Sequence, residues 1–492
     1  MAQIIVENLT FAYDGGIDYI FKGANFRFDS NWKLGLIGRN GRGKTTFLKL
    51  LLGKFEYQGK IVSGLHFDYF PYQVKNKGLN AVDVLAEIDP ELELWKVMIK
   101  MGDLSLNQEV LYRPFESLSF GEQTKFLLAA LFAKDNNFLL IDEPTNHLDR
   151  QARDNVCEFL KRQKGFIVVS HDRDFLDACT DHIISINKND IEVQKGNFTS
   201  WWQNRQNQDN FEKASNEKLQ KEISHLNESI KKTKVWADKI ESGKNGNLIS
   251  GVKADKGYIG HMAAKMNARS KATLARQERL VEEKSKLLKN IEEQEGLFLN
   301  SVGLRSENVL EVRDLSIRYG DKEVFKELSF SVKRGEKVAV CGKNGCGKSS
   351  LLKLLLGEDI DYRGQVFKSG NLKISYVSQN FDYLTGSLFD IAYENQLDQT
   401  KFLTMLKKLG FDRKLFENRV ESYSAGQKKK VLIAKSLCQE ANLYIWDEPL
   451  NYIDIISRMQ IEQMLLESDI TLIFVEHDSA FVRNVASKKV EI

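Results

Sequence analysis

A glycine-rich stretch that ends in a lysine and two hydroxyl side chains occurs twice in the chain and has the composition of a phosphate-binding loop. Residues 38–46 read GRNGRGKTT and residues 342–350 read GKNGCGKSS, so both fit the pattern G-x-x-x-x-G-K-[ST]. In this pattern backbone N–H groups surround the phosphates, the lysine supplies positive charge, and the next hydroxyl ligates magnesium. We therefore assign nucleotide binding to Gly38, Asn40, Gly41, Gly43, Lys44, Thr45 and Thr46, and to Gly342, Asn344, Gly345, Gly347, Lys348, Ser349 and Ser350.

Downstream of each loop, an apolar run ends in two adjacent carboxylates. Residues 138–143 read FLLIDE and residues 443–448 read LYIWDE, which predicts a buried strand that ends at an acidic pair. Carboxylate and hydroxyl oxygens suit Mg²⁺, so Asp142 and Asp447 are predicted to hold the metal together with Thr45 and Ser349. The following glutamates, Glu143 and Glu448, are placed to polarise or deprotonate an attacking water. The predicted chemistry is hydrolysis of ATP with Mg²⁺ as cofactor.

The elements that must position these residues also occur twice. Each copy opens with alternating apolar residues and continues with short strands between helical patterns, which predicts an α/β fold with a parallel sheet and crossover helices. The repeat places one nucleotide-binding domain at residues 1–195 and a second at 304–492. Residues 196–303 belong to neither copy.

The intervening segment, residues 196–303, has the pattern of an antiparallel helical hairpin. Its two arms carry apolar residues at heptad spacing, and a glycine-rich turn lies between them. The apolar positions are Leu219, Ile223, Leu226 and Ile230 in the first arm and Leu274, Val281 and Leu288 in the second. An arm of about 40 residues would reach on the order of 60 Å.

The outer half of this hairpin is strongly basic. Residues 231–276 contain eleven Lys and Arg against three acids, a local charge of +8 in a chain whose net charge is +3. Such a concentration favours nucleic-acid binding, although a solvated charged coiled coil is the alternative. Within a tip at about 241–262 and just beyond it, the RNA-binding candidates are Lys244, Lys253, Lys256, Tyr258, His261 and Lys265. The ring side chains could stack on bases or pack on the partner arm.

A third element resembles the LSGGQ signature of ABC ATPases. It reads LSFGEQ at residues 118–123 and YSAGQ at residues 423–427, in each copy just upstream of the acidic strand. The resemblance implies that each signature grips the nucleotide held by the other copy, through Ser119, Gly121, Glu122, Ser424, Gly426 and Gln427. The expected architecture is then two tandem P-loop ABC ATPase domains, facing head to tail around two ATP molecules and joined by a long antiparallel α-helical hairpin linker.

Further positions resemble functional residues of the same family. Gln73 and Gln379 resemble the Q-loop glutamine, which lies near magnesium and water, and are assigned to both the catalytic and the metal sites. His171 and His477, each following an apolar strand, resemble the switch histidine that contacts the γ-phosphate. By the same resemblance Tyr13 and Tyr319 could stack on adenine, with packing in a sheet as the alternative.

Tandem ABC domains with a charged helical linker and no membrane segment resemble the ABC-F proteins, and residues 143–149, EPTNHLD, match a string characteristic of that family. The resemblance covers essentially the whole chain. It implies a ribosome-binding ATPase that sits beside tRNA in the exit site and extends its linker toward the peptidyl-transferase centre. The expected partners are the 70S ribosome, through the 23S rRNA of the large subunit, and P-site tRNA. DNA and membranes are not expected partners, and the chain is expected to be a monomer.

The second copy departs from the family pattern, with Tyr452 where His147 stands in the first, and with a tyrosine-led signature. These features resemble the antibiotic-resistance branch of the ABC-F family, most of all its Lsa type. That implies protection of the ribosome from lincosamides, streptogramin A and pleuromutilins. The departures leave open whether the two ATP sites hydrolyse equally, and the site containing Ser424 and Ala425 is the candidate for the altered one.

Composition argues against a membrane protein, a secreted protein and a zinc protein. No run of 18 apolar residues occurs and the N-terminus lacks the features of a signal peptide, so a cytoplasmic protein is expected. Five scattered cysteines without a CxxC pair argue against a disulfide framework or a zinc site. Three other functions compete with ribosome protection: a housekeeping ABC-F translation factor, the ATPase subunit of an efflux transporter, and a DNA-repair or chromosome-organising ATPase.

Overall fold

The computed structural model describes residues 3–13, 19–135, 137–145, 148, 150–187, 190–243, 268, 272–273, 275–276, 279, 306–320, 322–343 and 345–492. The chain divides into two compact units. One combines Met1–Trp201 with Gln294–Ile492 and so contains both repeats, and the other is Trp202–Glu293. The exact boundaries predicted at residues 195 and 303 stay a prediction.

The first repeat folds as alternating strands and helices, as its hydrophobic periodicity predicts. Its strands are β1 Gln3–Phe11, β2 Phe21–Asp29, β3 Lys33–Ile37, β4 Gln58–Val62, β5 His66–Phe70, β6 Asn137–Asp142, β7 Phe166–Val169, β8 His182–Ile186 and β9 Ile191–Lys195. Its helices are α1 Lys44–Leu51, α2 Ala81–Ile88, α3 Leu94–Asp103, α4 Phe120–Phe132, α5 Arg150–Arg162 and α6 Arg173–Cys179. Two short 3₁₀ turns, Gln108–Tyr112 and Phe115–Ser117, lead into α4.

The second repeat has the same order of elements. Its strands are β10 Asn308–Tyr319, β11 Lys322–Lys333, β12 Lys337–Cys341, β13 Tyr362–Lys368, β14 Ile374–Val377, β15 Leu443–Asp447, β16 Leu472–Val475 and β17 Lys488–Glu491. The linker helix is α7, Phe198–Gly243, and the helices of the second repeat are α8 Lys348–Leu356, α9 Leu388–Glu394, α10 Gln399–Lys408, α11 Ala425–Cys438, α12 Ile455–Glu467 and α13 Ser479–Val485. Its 3₁₀ turns are Arg413–Glu417 and Val420–Ser422.

A largely parallel sheet forms the centre of each repeat. The strand order is β5-β6-β7-β3-β8-β9 in the first repeat, where only β9 is antiparallel, and β14-β15-β16-β12-β17 in the second. The central strands are apolar at nearly every position because both faces are covered, as in β7, where all four residues are buried. In the first repeat the adjacent parallel strands β6, β7 and β3 end at the same edge of the sheet, and in the second repeat β15, β16 and β12 do so. Ligands of such sheets bind at the carboxyl ends of the strands.

Each repeat also has a three-stranded antiparallel sheet, in the order β2-β1-β4 in the first and β11-β10-β13 in the second. The apolar side chains of this sheet pack with those of the helix after the phosphate loop into one buried cluster, which contains Phe28 and Phe47 in the first repeat. The helix that starts at the loop is therefore held between two sheets. This packing fixes the position of its amino end, where the phosphates are expected.

The linker begins with one long helix, α7, Phe198–Gly243, of 46 residues. Its first turn is anchored by Phe198 and Trp201, which are almost completely buried. The predicted first arm of the hairpin is thus confirmed as a helix. In the return arm residues 268, 272, 273, 275, 276 and 279 are helical, whereas the predicted turn and the rest of that arm lie outside the described residues. No helix among the residues described combines the length and hydropathy needed to cross a bilayer.

Candidate functional site

The two glycine-rich loops adopt a conformation that only glycine accommodates well. Gly41 and Gly43 have φ of 81° and 93°, and the matching Gly345 and Gly347 have φ of 79° and 104°. A Cβ on Gly43 would also lie 2.5 Å from Ile20 Cγ2. Because the helix begins at the residue after Gly43, its amino end lies at the loop, and a helix amino end favours an anion.

The loop lysines lie across these turns. Lys44 Nζ donates to the Gly38 carbonyl at 2.8 Å, and Lys348 Nζ donates to the carbonyls of Gly342 and Lys343, both at 2.9 Å. Burial lowers the pKa of Lys44, and nearby carboxylates, including Glu143, partly offset that effect. Each ammonium is thus held inside the loop, next to where a phosphate chain would lie. Of the predicted loop residues, Asn344 lies outside those described.

A hydroxyl and a carboxylate converge beside each loop. Thr45 Oγ1 donates to Asp142 Oδ2 at 2.9 Å, and the Ser349 hydroxyl forms a hydrogen bond with the Asp447 carboxylate. Asp447 Oδ1 is buried and has no hydrogen-bond partner. Burial raises the pKa of Asp447, and the Ser349 hydrogen bond and nearby lysines offset this effect only in part. The donor sets fit a magnesium ion at each site, held by Thr45 and Asp142 or by Ser349 and Asp447, and the orphaned Asp447 oxygen supports this at the second site.

A tyrosine that the sequence did not indicate contacts the first of these carboxylates. Tyr69, in β5, donates its hydroxyl to Asp142 Oδ2 at 2.9 Å, and burial followed by the Asp142 charge raises its pKa. Burial also raises the pKa of Tyr376 in β14, where the Asp447 charge is the second cause. The strand pairing β5–β6 brings Tyr69 to this place. No motif marks the residue, so only the pairing of the strands could have identified it.

In the first site, the side chain of Glu143 lies beside His171. Glu143 has φ of +53°, a strained conformation for glutamate, and its N–H donates to the Val169 carbonyl at 2.9 Å. His171 Nε2 lies 3.2 Å from Glu143 Oε1, but this oxygen accepts no hydrogen bond. Burial, and next the Asp142 charge, raises the pKa of Glu143 to about 8. Burial lowers the pKa of His171 well below its ordinary value, so its imidazole is neutral.

In the second site, the matching Glu448 accepts several hydrogen bonds. His477 Nε2 lies 3.3 Å from its Oε1 and Gln379 Nε2 donates to its Oε2 at 2.9 Å. Asn451 Nδ2 also donates to Oε2. Burial raises the pKa of Glu448, but the bonds from His477 and Gln379 outweigh it and hold the pKa below the ordinary value.

The two predicted Q-loop glutamines therefore differ. Gln379 contacts Glu448, whereas Gln73 is exposed and its side chain makes no hydrogen bond with any residue of the described ranges. The two copies of the motif thus have different environments for the glutamate that would activate water.

Each signature motif forms the amino end of a helix. Ser119 caps α4 and Ser424 caps α11, and each pairs with the residue three positions on, Glu122 or Gln427, in a capping box. The side chains of Glu122 and Gln427 therefore turn back to their own helix. The serine hydroxyls and the N–H groups of the first turn remain at the helix end, where an anion is favoured.

Residues of both repeats enclose the second site. A cavity of about 620 Å³ is lined by Phe120, Leu148 and Arg153 of the first domain and by residues of the second. The latter are Tyr319, Glu323, Val324, Gly345, Gly347, Lys348, Ser349, Ser350, Gln379, Glu448, Asn451, Tyr452 and His477. Phe120 lies between the predicted contacts Ser119 and Gly121, which do not themselves line the cavity. The signature of one domain thus approaches the phosphate loop of the other.

The first site is closed by the second domain in the same way. Asn40 Nδ2, in the first phosphate loop, donates to the Tyr452 carbonyl at 2.8 Å. A Cβ on Gly426 would lie 2.9 Å from the same nitrogen, so the second signature touches this loop. Of the string 143–149 in the first domain, Asn146, His147 and Asp149 lie outside the described residues.

The predicted adenine-stacking tyrosines lie beside the loops. The Tyr13 hydroxyl is 2.9 Å from Thr46 Oγ1, and its ring packs edge-on against Phe11 and Phe55. Tyr319 donates to Ser350 Oγ at 3.1 Å, and about half of its surface is exposed. Both positions are compatible with stacking on a base and with packing in the sheet, so the alternatives stay open. The candidates Lys244, Lys253, Lys256, Tyr258, His261 and Lys265 in the linker lie outside the described residues.

Polar contacts join the two domains away from the loops. Arg153 Nη1 donates to the His477 carbonyl at 2.9 Å and lies 3.2 Å from Asp172 Oδ2. Arg173 forms a buried ion pair with Glu462. Sequence reasoning identified none of these residues, because pairing across the interface leaves no motif in either copy.

Comparison with known proteins agrees with this geometry. The family model described as ABC transporter matches residues 21–146 and 325–451, about half of the chain. The "Ribosome protection protein VmlR" of Bacillus subtilis (strain 168) is 27% identical over 493 residues, covering 99% of this chain and 86% of that protein. The "ABC transporter F family member 2" of Arabidopsis thaliana is 26% identical over 546 residues, covering 99% of this chain and 76% of that protein.

A solved structure shares the fold. It is the complex of an archaeal ribosomal stalk protein aP1 with the archaeal ribosome recycling factor aABCE1. The TM-score is 0.62 at 19% identity, with 98% of this chain and 87% of that chain covered. The predicted tandem arrangement of two ABC ATPase domains is therefore confirmed. With two matching domains, relatives along its whole length and phosphate loops facing opposite signatures, the chain belongs to the ABC transporter family of ATPases and, within it, to the ABC-F group.

Proposed function

We propose that this ATPase binds the bacterial ribosome and protects it from antibiotics that act at the peptidyl-transferase centre: lincosamides, streptogramin A and pleuromutilins. The observation that carries the proposal is the match to a ribosome protection protein over 99% of this chain, linker included. The basic stretch at residues 231–276 supports a partner made of RNA. The protein would act in the cytoplasm, insert its linker from the exit site, and contact 23S rRNA and P-site tRNA.

In this proposal ATP holds the two domains together. Lys44 and Lys348 bind the phosphates, and Ser119 with Gly121, or Ser424 with Gly426, contact them from the opposite domain. Glu143 and Glu448 accept a proton from the attacking water, while His171 and His477 hold the γ-phosphate. Magnesium, when held by the residues that fit it, neutralises charge on the phosphates. Binding therefore favours the closed state, and hydrolysis releases it.

A housekeeping ABC-F translation factor is the second candidate. The plant relative named only as an ABC-F family member matches at 26% identity, nearly the same value as the ribosome protection protein at 27%. Both functions use the same two nucleotide sites, so neither the sites nor the identities separate them. Drug resistance in cells is the property in which they differ.

The test is expression of the chain in a drug-sensitive Gram-positive host, with susceptibility measured to a lincosamide, a pleuromutilin and a macrolide. We expect resistance to the first two drugs, and loss of that resistance when Gln replaces both Glu143 and Glu448. Equal susceptibility with and without the chain, at matched expression, would contradict drug protection and favour the housekeeping role.

Charge at the linker tip is expected to matter for that resistance. Replacing Lys244, Lys253 and Lys256 with Gln should lower resistance several-fold, because each lost phosphate contact weakens RNA binding. The ATPase rate of the purified chain should not change. The control replaces Lys218 and Lys221, two exposed lysines of α7 outside the basic stretch, with Gln. Equal resistance of the tip variant and the unmodified chain would show that the tip charge is incidental.

The two sites are expected to differ in their response to pH. A general base works only when deprotonated, and the pKa of Glu143 is raised to about 8 whereas that of Glu448 is lowered. In a Glu448→Gln chain, where only the first site is active, the rate should rise about ninefold from pH 6 to 7, about fivefold from pH 7 to 8, and reach a plateau about one unit above the pKa. In a Glu143→Gln chain the rate should be flat over this range. Identical profiles for the two variants would contradict the assignment.

A further inference from the structure

The second domain contains a completely buried lysine that no motif explains. Lys429, in α11, has no exposed surface, and its Nζ donates to the Ser378 carbonyl at 2.8 Å and to the Asp447 carbonyl at 3.3 Å. Burying an ammonium group is costly unless hydrogen bonds compensate it. Both acceptors here are backbone oxygens, so the lysine joins two segments of main chain.

These two segments carry the side chains of the second hydrolysis site. Ser378 directly precedes Gln379, and Asp447 directly precedes Glu448. Gln379 Nε2 donates to Glu448 Oε2 at 2.9 Å. Lys429 is bonded to both main-chain segments, so it fixes the distance between the backbones of Gln379 and Glu448.

The first domain provides an internal comparison without this lysine. Aligning Ser119 with Ser424 places Thr124 where Lys429 stands. A threonine side chain is too short to reach two carbonyls several ångströms away. In that domain Gln73 is exposed and not bonded to Glu143, and Glu143 Oε1 accepts no hydrogen bond.

We propose that Lys429 is a positioning residue for ATP hydrolysis at the second site, where it clamps the segment of Gln379 to the end of β15 and so holds Gln379 on Glu448. In the first site, where a threonine replaces this lysine, Gln73 is exposed and Glu143 Oε1 accepts no hydrogen bond from the described residues. The inference rests on the proposed roles of Glu448 and Gln379, and not on ribosome protection.

The first test measures the clamp itself, by hydrogen–deuterium exchange of the full-length chain without nucleotide. Lys429→Met keeps most of the buried volume but removes the donor. Amides of residues 378–383 should exchange about tenfold faster, the factor expected when a hydrogen bond from a charged group is lost. The matching first-domain segment, residues 72–77, should not change. The control Lys428→Met, one position earlier in the same helix, should change neither segment. Unchanged exchange at 378–383 would overturn the proposal.

The second test measures hydrolysis in a Glu143→Gln background, so that the second site alone is observed. Lys429→Met should lower kcat about tenfold with little change in KM for ATP, because Lys429 lies behind Gln379 and does not line the cavity. Lys429→Arg, which keeps a charged donor, should restore part of the rate. A variant that was merely misfolded would not show a lower kcat with an unchanged KM for ATP together with partial rescue by arginine.

A third test, the kcat of a double variant, shows whether Lys429 acts through Gln379. Adding Lys429→Met to Gln379→Ala should cause no further fall in kcat, because the side chain being positioned is already absent. Multiplied losses in the double variant would overturn the proposal. All three tests use the purified chain without ribosomes, so they can fail while the resistance assay succeeds, and the resistance assay can fail while they succeed.

Discussion

A chain with Gln in place of both Glu143 and Glu448 is expected to bind ATP, fail to hydrolyse it and remain closed on the ribosome. The amide keeps the size of the carboxylate but cannot accept the proton of the attacking water. Loss of a general base lowers a rate by about 10²–10⁴-fold. The phosphate loops, the magnesium ligands and the signatures are unchanged, so binding should survive. The measurements are phosphate release and co-sedimentation with ribosomes, each with and without ATP.

The matched control replaces Lys44 and Lys348 with Ala. Their ammonium groups lie inside the phosphate loops, so this variant should lose both ATP binding and ATP-dependent sedimentation. Comparing the two variants distinguishes a chain that binds ATP but cannot hydrolyse it from a chain that cannot bind ATP. If the double Gln variant sediments with ribosomes no better in ATP than without it, closure by nucleotide is not what drives binding.

Most of the catalytic framework could be predicted because short motifs determine it. The positive φ of Gly43 and Gly347 requires glycine at those positions, and the carboxylates follow strands whose parallel pairing brings them to the loops. The loop and the carboxylate pair recur in the same order later in the chain, which predicts a second domain. The spacing of glycine, lysine and carboxylate along the chain was therefore enough to predict which side chains lie together in each domain.

Residues that depend on strand pairing or on the domain interface could not be predicted. Tyr69 reaches Asp142 only because β5 pairs with β6, and Arg153 reaches the His477 carbonyl only because the two domains meet. The sequence also assigned the same role to Gln73 and Gln379. In the structure only Gln379 contacts its glutamate, and we attribute the difference to Lys429, whose place is taken by Thr124 in the first domain.

Breaking the buried ion pair between Lys430 and Asp454 is expected to destabilise the second domain strongly. Lys430 Nζ lies 2.8 Å from Asp454 Oδ2, and both side chains are almost completely buried. Burial raises the pKa of Asp454, yet the Lys430 ammonium outweighs it and holds the pKa well below its ordinary value. Lys430→Met leaves that carboxylate buried without its cation, which costs about 3–5 kcal/mol. The measurement is urea denaturation of the full chain, with the second domain followed by hydrogen exchange of β15.

Two further variants identify the cause of that loss. Asp454 also caps α12, where its side chain accepts a bond from the Ser457 N–H at 2.9 Å. Adding Asp454→Asn to Lys430→Met keeps a good capping residue and removes the orphaned charge, so it should recover much of the stability. Arg419→Ala removes a partner from an exposed pair with Glu421 and should leave the denaturation midpoint unchanged. If the Lys430→Met chain and the Lys430→Met/Asp454→Asn chain unfold at the same urea concentration, the loss comes from packing of the lysine stem and not from the unpaired charge.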